Sequence, residues 1–250
     1  MVNINEKAHR VAIDAYAPWH GPENDIPAMR AGFDRMLPDP APDVLVSEAE
    51  VGGVAGRWVE VPQSGATCVL YLHGGGGVLG SSFAYRDLAS RIARAARARV
   101  FVADFALAPE HPFPAGFDDA RAAYSALLDE KDVDPRDLVV VGDSAGGGIA
   151  VALVAALGEW DLPRPACVVA LGPFADLTIS GNSMTELADI DPLVTREASE
   201  QMSAAYLAGH DPKDPKVSAI FADSPISHRF SLTSGNVRSC STTRVGSWKR

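Results

Sequence analysis

Four uninterrupted apolar runs, at residues 68–72, 100–103, 138–141 and 167–171, constrain this chain more than any other feature. A strand with one face in solvent alternates apolar and polar residues, so a continuous run marks a strand covered on both faces. Helical patterns fill the gaps, over 85–98, 116–130 and 147–157. Strand and helix in regular alternation predict a parallel sheet with right-handed crossovers and flanking helices.

The flanks read differently. Residues 44–61 alternate around Gly52-Gly53, which predicts an antiparallel hairpin leading into the sheet. Two helix-like segments, 6–16 and 26–37, precede it and are expected to form a small N-terminal cap within about residues 1–40. Beyond 171 the pattern loosens into a loop, then a helix over 196–207 with Thr195 as its N-cap. No linker or repeat divides the chain before residue 223, so 1–223 reads as one domain.

Charge and cysteine content narrow the partners. A net charge of −10 and a pI near 5.0 disfavour nucleic acid and anionic membrane surfaces. No apolar run approaches the roughly 18 residues of a membrane span, and the N-terminus carries no secretion signal, so the expected location is cytoplasmic. Cys68, Cys167 and Cys240 have no metal or redox spacing, and the first two read as buried small hydrophobes. Nothing implies a cofactor or a metal.

Two glycine-rich turns carry the chemistry. Gly142-Asp143-Ser144-Ala145-Gly146-Gly147 joins an apolar strand to a helix through a serine with glycines two before and two after it. Such a turn is too sharp for a Cβ at those flanking positions, and it presents the serine at the N-terminus of the following helix. Upstream, His73-Gly74-Gly75-Gly76-Gly77 follows the first apolar run. Glycines there let backbone N–H groups face a ligand oxygen, and with the Ala145 amide they would make three donors around a tetrahedral intermediate. His73 is expected to brace the loop, and Asp143 to hydrogen-bond within the serine turn. Phe83 and Tyr85 fit either a pocket lining or the core. Gly75-Gly76-Gly77-Val78-Leu79-Gly80 also matches the G-x-G-x-x-G dinucleotide fingerprint, with Asp104 at the end of the next strand. A run of four glycines meets that pattern cheaply, and the match leaves Ser144 unexplained.

Three stretches together, His73-Gly74-Gly75-Gly76, Leu107-Ala108-Pro109-Glu110-His111-Pro112-Phe113-Pro114-Ala115 and the serine turn, resemble the hormone-sensitive-lipase-like branch of the α/β-hydrolases. The resemblance runs over most of residues 30–223. It implies an α/β-hydrolase fold, with a mostly parallel sheet, flanking helices and a helical cap. It further implies hydrolysis of a small-molecule carboxylic ester or lactone, with Ser144 as catalytic nucleophile and Gly75, Gly76 and Ala145 as the oxyanion hole. The segments 1–40 and about 175–210 would shape the acyl pocket; a non-catalytic ligand-binding relative is the alternative, and a homo-oligomer stays open.

A serine hydrolase of this fold takes its acid and then its histidine from positions after the serine. Only His210 and His228 follow Ser144. Asp191-Pro192-Leu193 and His228-Arg229-Phe230 imitate the family's acid and histidine sites, but Asp191 follows a polar stretch where the family has a buried strand. The composition also breaks: none of the 32 acidic residues lies after Asp223, and the last 27 residues show no strand or helix period. Deleting one C from GAC CTC ACC GAT CTC CCA CCG ATT, which encodes Asp-Leu-Thr-Asp-Leu-Pro-Pro-Ile in the family style, yields Asp223-Ser224-Pro225-Ile226-Ser227-His228-Arg229. In the same shifted frame Arg238-Ser239-Cys240-Ser241-Thr242-Thr243 permits Val-Leu-Leu-Asp-Asp. The expectation is therefore a frameshifted, disordered tail over 224–250, a sheet missing its C-terminal strands, and a nucleophile without its acid and base.

Overall fold

The computed structural model describes residues 25–35, 38–186, 194–222 and 230–233. Its strands β1 (Leu45–Val51), β2 (Val54–Glu60), β3 (Cys68–Leu72), β4 (Arg99–Ala103), β5 (Leu138–Asp143), β6 (Cys167–Leu171) and β7 (Phe230–Thr233) form one sheet in the order β1-β2-β4-β3-β5-β6-β7. The predicted hairpin is present as β1 (Leu45–Val51) and β2 (Val54–Glu60), with Val51 opposite Val54. Gly52 and Gly53, at φ +61° and +77°, supply the two left-handed residues that a twisted two-residue hairpin turn needs. From β2 the sheet continues antiparallel into β4 (Arg99–Ala103). After that, β3 (Cys68–Leu72), β5 (Leu138–Asp143) and β6 (Cys167–Leu171) run parallel, as the continuous apolar runs predict.

Period-two alternation explains why these runs are apolar throughout. Leu70, Leu72 and Phe101 face one core, with Phe117, Tyr124 and Leu153. Val69, Tyr71, Val100 and Val102 face the other, with Ala89, Ala93 and Tyr85. The first face is covered by α3 (Ala115–Asp129) and α4 (Ser144–Ala156), the second by α2 (Arg86–Ala96). Buried on almost every side, α4 is accordingly apolar all round. Burial also pushes the Cys68 thiol up to about 11, which leaves it an inert core residue; Cys167 is half-buried.

Capping sets the remaining helices. Asp25 caps α1 (Ile26–Asp34) by accepting from the Ala28 amide at 3.0 Å, and α1 ends short of the 37 expected. After the short α5 (Ser183–Glu186), Thr195 caps α6 (Arg196–Leu207) by accepting from the Ala198 amide at 3.1 Å, as predicted. Helix 6–16, Asp191, His228 and Cys240 lie outside the described residues. One difference concerns the stretch that showed no period: β7 (Phe230–Thr233) pairs in parallel with β6, Val168 opposite Phe230. Four residues on the outer side of a sheet are held by main-chain bonds, which leave little trace in side-chain alternation. Among the described residues no helix is long and apolar enough to cross a membrane.

Candidate active site

The site begins where β5 meets α4. Ser144 is exposed and has φ +48°, a left-handed backbone that a non-glycine residue adopts only when its surroundings hold it there. What holds it is close packing. A Cβ on Gly142 would strike the Gly146 carbonyl, and one on Gly146 would strike the carbonyls of Leu72 and His73. The turn is therefore pressed against the end of β3, where the glycine loop starts. From the other side, the Phe174 amide donates to the Ser144 carbonyl at 2.7 Å.

Asp143 ties the two turns together. Its Oδ1 accepts from the Gly74 amide and the Tyr71 hydroxyl, both at 2.9 Å, and its Oδ2 accepts from the Tyr85 hydroxyl at 2.9 Å. This carboxylate is expected to bond within its own turn, whereas it reaches across to the glycine loop. Burial raises its pKa, opposed by the two tyrosine donors, the nearby His73 and the Gly74 amide. Tyr85 thus belongs to this network and packs in the core, while Phe83 is an exposed platform for the Arg86 guanidinium, 3.6 Å above its ring. Tyr71 was not singled out in the sequence; its signal was a polar tip inside an otherwise apolar strand, two residues before His73.

The glycine loop is as constrained as the serine turn. Gly75 and Gly76 have φ +116° and +68°, and the Gly75 carbonyl accepts from the Val78 and Leu79 amides at 3.1 and 2.8 Å. Among the described residues the Gly75 and Gly76 amides donate to no protein group. Ala145, in the first turn of α4, has no carbonyl one turn back to receive its N–H. His73 is buried, stacks on Phe105 at 4.4 Å, and places Nδ1 2.9 Å from the Gly74 carbonyl. It braces the loop, as expected. Burial holds its pKa below the usual histidine value, against the charges of Asp104, Asp143 and Asp34.

Gly76, Gly77 and Ala145 line one cleft of about 300 Å³, counted with its open mouth. Its apolar wall is Ile149, Phe174, Leu177 and Val217, and α6 closes it with Ser203 and Tyr206. The helix sits directly on the glycines: a Cβ on Gly76 would strike the Met202 sulfur, and one on Gly77 would lie 2.6 Å from Tyr206 Cδ2. At the opposite side α1 grips the loop. Arg30 donates from Nε to the Val78 carbonyl at 2.9 Å, from Nη2 to the Ala108 carbonyl at 3.0 Å, and pairs with Glu110.

Two other sequence candidates fall elsewhere. His210 pairs with Asp214, Nε2 to Oδ2 at 2.7 Å, and its ring packs on Phe113 at 4.6 Å. It is held by the turn after α6 and does not line the cleft. The dinucleotide fingerprint lacks its context, because the glycines do not open a helix; α2 starts only at Arg86, and Asp104 accepts from the Ser82 amide and hydroxyl. Among the described residues no cluster of three or more His, Cys, Asp or Glu could hold a metal.

Comparison with known proteins agrees with this architecture. Residues 69–234 match a family model described as alpha/beta hydrolase fold. An acetyl-hydrolase of Streptomyces hygroscopicus is 36% identical over 211 residues, spanning 82% of this chain and 69% of the relative. The carboxylesterase NlhH of Mycobacterium tuberculosis is 36% identical over 191 residues, 71% of this chain and 58% of its own length. This chain thus spans less than two thirds of that second relative. An esterase from the bacterial hormone-sensitive lipase family superposes with a TM-score of 0.85 at 36% identity, covering 91% of this chain and 77% of that one.

Proposed function

The chain belongs to the hormone-sensitive-lipase-like branch of the α/β-hydrolase family, and on that premise we propose that it is a serine hydrolase of carboxylic esters or lactones. Ser144 is the nucleophile, and the Gly75, Gly76 and Ala145 amides are the oxyanion donors. The observation that carries this reading is the pairing of an exposed serine at φ +48° with two glycine amides that donate to no group among the described residues, on turns bonded to each other through Asp143. Attack by Ser144 Oγ on the ester carbonyl forms the new acyl–oxygen bond as the bond to the leaving oxygen breaks, the serine proton departs with that oxygen as the alcohol, and water then cleaves the acyl-enzyme to the carboxylic acid and free Ser144. The three amides take up the negative charge on the carbonyl oxygen in both steps.

The same proposal includes slow turnover. A serine hydroxyl is a weak nucleophile without a base, and an oxyanion hole alone retains only residual catalysis. The composition break after Asp223, with the family pattern legible in another frame, supports the reading that residues 224–250 do not encode the acid and histidine. Labelling with a fluorophosphonate, followed by peptide mass analysis, tests the assignment. Modification at Ser144 that Ser144→Ala abolishes is expected, with little release of p-nitrophenol from p-nitrophenyl acetate. Absence of labelling overturns the hydrolase reading in favour of a binding protein. Rapid turnover abolished by Ser144→Ala overturns only the impairment, as does DNA around the Asp223 codon that cannot be read in the family pattern.

A further inference from the structure

The cleft beside the glycine loop is apolar except for two hydroxyls. Ser203 donates to the Leu177 carbonyl at 3.1 Å, so its proton is committed. Tyr206 is 6% exposed, and among the described residues its hydroxyl has no hydrogen-bond partner. Buried tyrosine hydroxyls ordinarily find one, because an unpaired donor in apolar surroundings costs free energy that water would otherwise repay. Burial also holds this phenol well above its usual pKa, so the group is a neutral donor throughout the neutral range.

The side chain cannot easily swing away to find an acceptor elsewhere. Its ring lies against Gly77, its backbone carbonyl accepts from the Phe113 amide at 2.8 Å, and its ring centroid is 6.0 Å from that of Phe113. An unpaired donor fixed in the wall of a substrate cleft is suited to recognition. The enclosed space beside the ring is small, so only a short substituent can reach it.

We propose that Tyr206 is a specificity-determining residue, whose hydroxyl selects esters carrying an ether or carbonyl oxygen in the short arm that enters this cleft, over esters with a plain alkyl arm. The proposal rests on the hydrolase reading and names the substrate class of that same site. A site with a committed donor discriminates against the methylene analogue, since the analogue leaves the donor unpaired or traps a water beside it. The Ser203 hydroxyl keeps lone pairs but no free proton, so it adds no second donor to the cleft.

Uncleavable ketones test this without requiring turnover. 4-Methoxybutan-2-one and hexan-2-one differ only by an oxygen in place of a methylene, and either arm of a ketone can enter the cleft. Their Kd values are to be measured by calorimetry on the whole chain and on Tyr206→Phe, which keeps the ring and removes only the oxygen. The expected result is a shift of about tenfold in the ratio of the two affinities, toward the methoxy ketone in the parent chain, with hexan-2-one binding little changed by the substitution. An equal ratio in both proteins overturns the proposal, and so does a parent chain that prefers hexan-2-one by as much as the variant does. Circular dichroism melting of Tyr206→Phe verifies that the comparison is made between folded proteins. A failure of Ser144 labelling would sink the hydrolase reading but leave the ketone ratio readable, so the two failures are distinguishable.

Discussion

Asp143 and Gly74 lie 69 residues apart in sequence and are joined by one hydrogen bond of 2.9 Å, so the residue before Ser144 holds the residue before Gly75. The proposed nucleophile and the first proposed oxyanion donor are each one residue from a shared bond. Removing that carboxylate leaves the Gly74 amide and the Tyr71 hydroxyl without the bonds to it, and takes one partner from Tyr85. Asp143→Ala should cost roughly 1–3 kcal/mol of stability in urea unfolding, mainly from stranding the buried Tyr71 hydroxyl, since the Gly74 amide can still donate to the Tyr85 hydroxyl at 3.1 Å. Tyr71→Phe should cost about 1 kcal/mol. In the double variant the two losses should fall short of additive; strict additivity would show that the bond is not energetically coupled.

Close packing at the serine turn makes a paired prediction. Gly146→Ala drives a methyl into the Leu72 and His73 carbonyls, which are main-chain atoms at the end of a strand and cannot step aside. A loss of about 1–3 kcal/mol or more is expected, together with loss of Ser144 labelling. Gly158, in the short helical turn after α4, has nothing within 4 Å of its added methyl. Gly158→Ala should leave labelling intact and change stability by less than about 1 kcal/mol, in the stabilising direction. Equal effects at the two positions would contradict the packing described above.

His73 gives stability a pH dependence of definite sign. Burial holds its folded pKa below the value near 6.5 of the unfolded chain, so below 6.5 the unfolded state takes up a proton that the folded state refuses. The neutral ring's contribution is complete above that pH and falls as the solution is acidified toward the folded pKa, by at most about 1.4 kcal/mol per pH unit. Urea titrations at pH 7.5, 6.5 and 5.5 should show the slope, and His73→Gln should flatten it relative to the parent chain. An unchanged slope would place the proton uptake on another group.

Thr195 offers a milder test of the wall of the cleft. Thr195→Ala removes the acceptor for the Ala198 amide and should cost about 1 kcal/mol. Hydrogen exchange should quicken first at the start of α6, before the core strands respond.

Much of this was legible in the sequence, for reasons that differ from element to element. The central strands announced themselves because burial on both faces demands apolar residues at every position, as 68–72 shows. The hairpin was readable from Gly52-Gly53, since few other residues accept that turn, and α6 from the hydroxyl of Thr195. The destination of Asp143 was not readable, because a carboxylate on a turn gives no sign of which distant donors surround it. Nor was the role of Tyr206. Its position on an amphipathic helix is that of a core residue, and only the juxtaposition of α6 with Gly77 shows that its hydroxyl ends without a partner among the described residues. β7 was missed because a short strand held by its main chain leaves no pattern to read.

The contact between α6 and the glycine loop separates two inheritances. The loop's shape is fixed by its own main chain and by Asp143, while the side chains that press on Gly76 and Gly77, Met202 and Tyr206, belong to a helix more than a hundred residues further along. Descendants of this chain can therefore exchange residues at 202 or 206 and alter which molecules are admitted, without disturbing the amides that would stabilise the reaction. Chemistry and selectivity thus rest on separate segments of the chain, and diversification has a natural place to act.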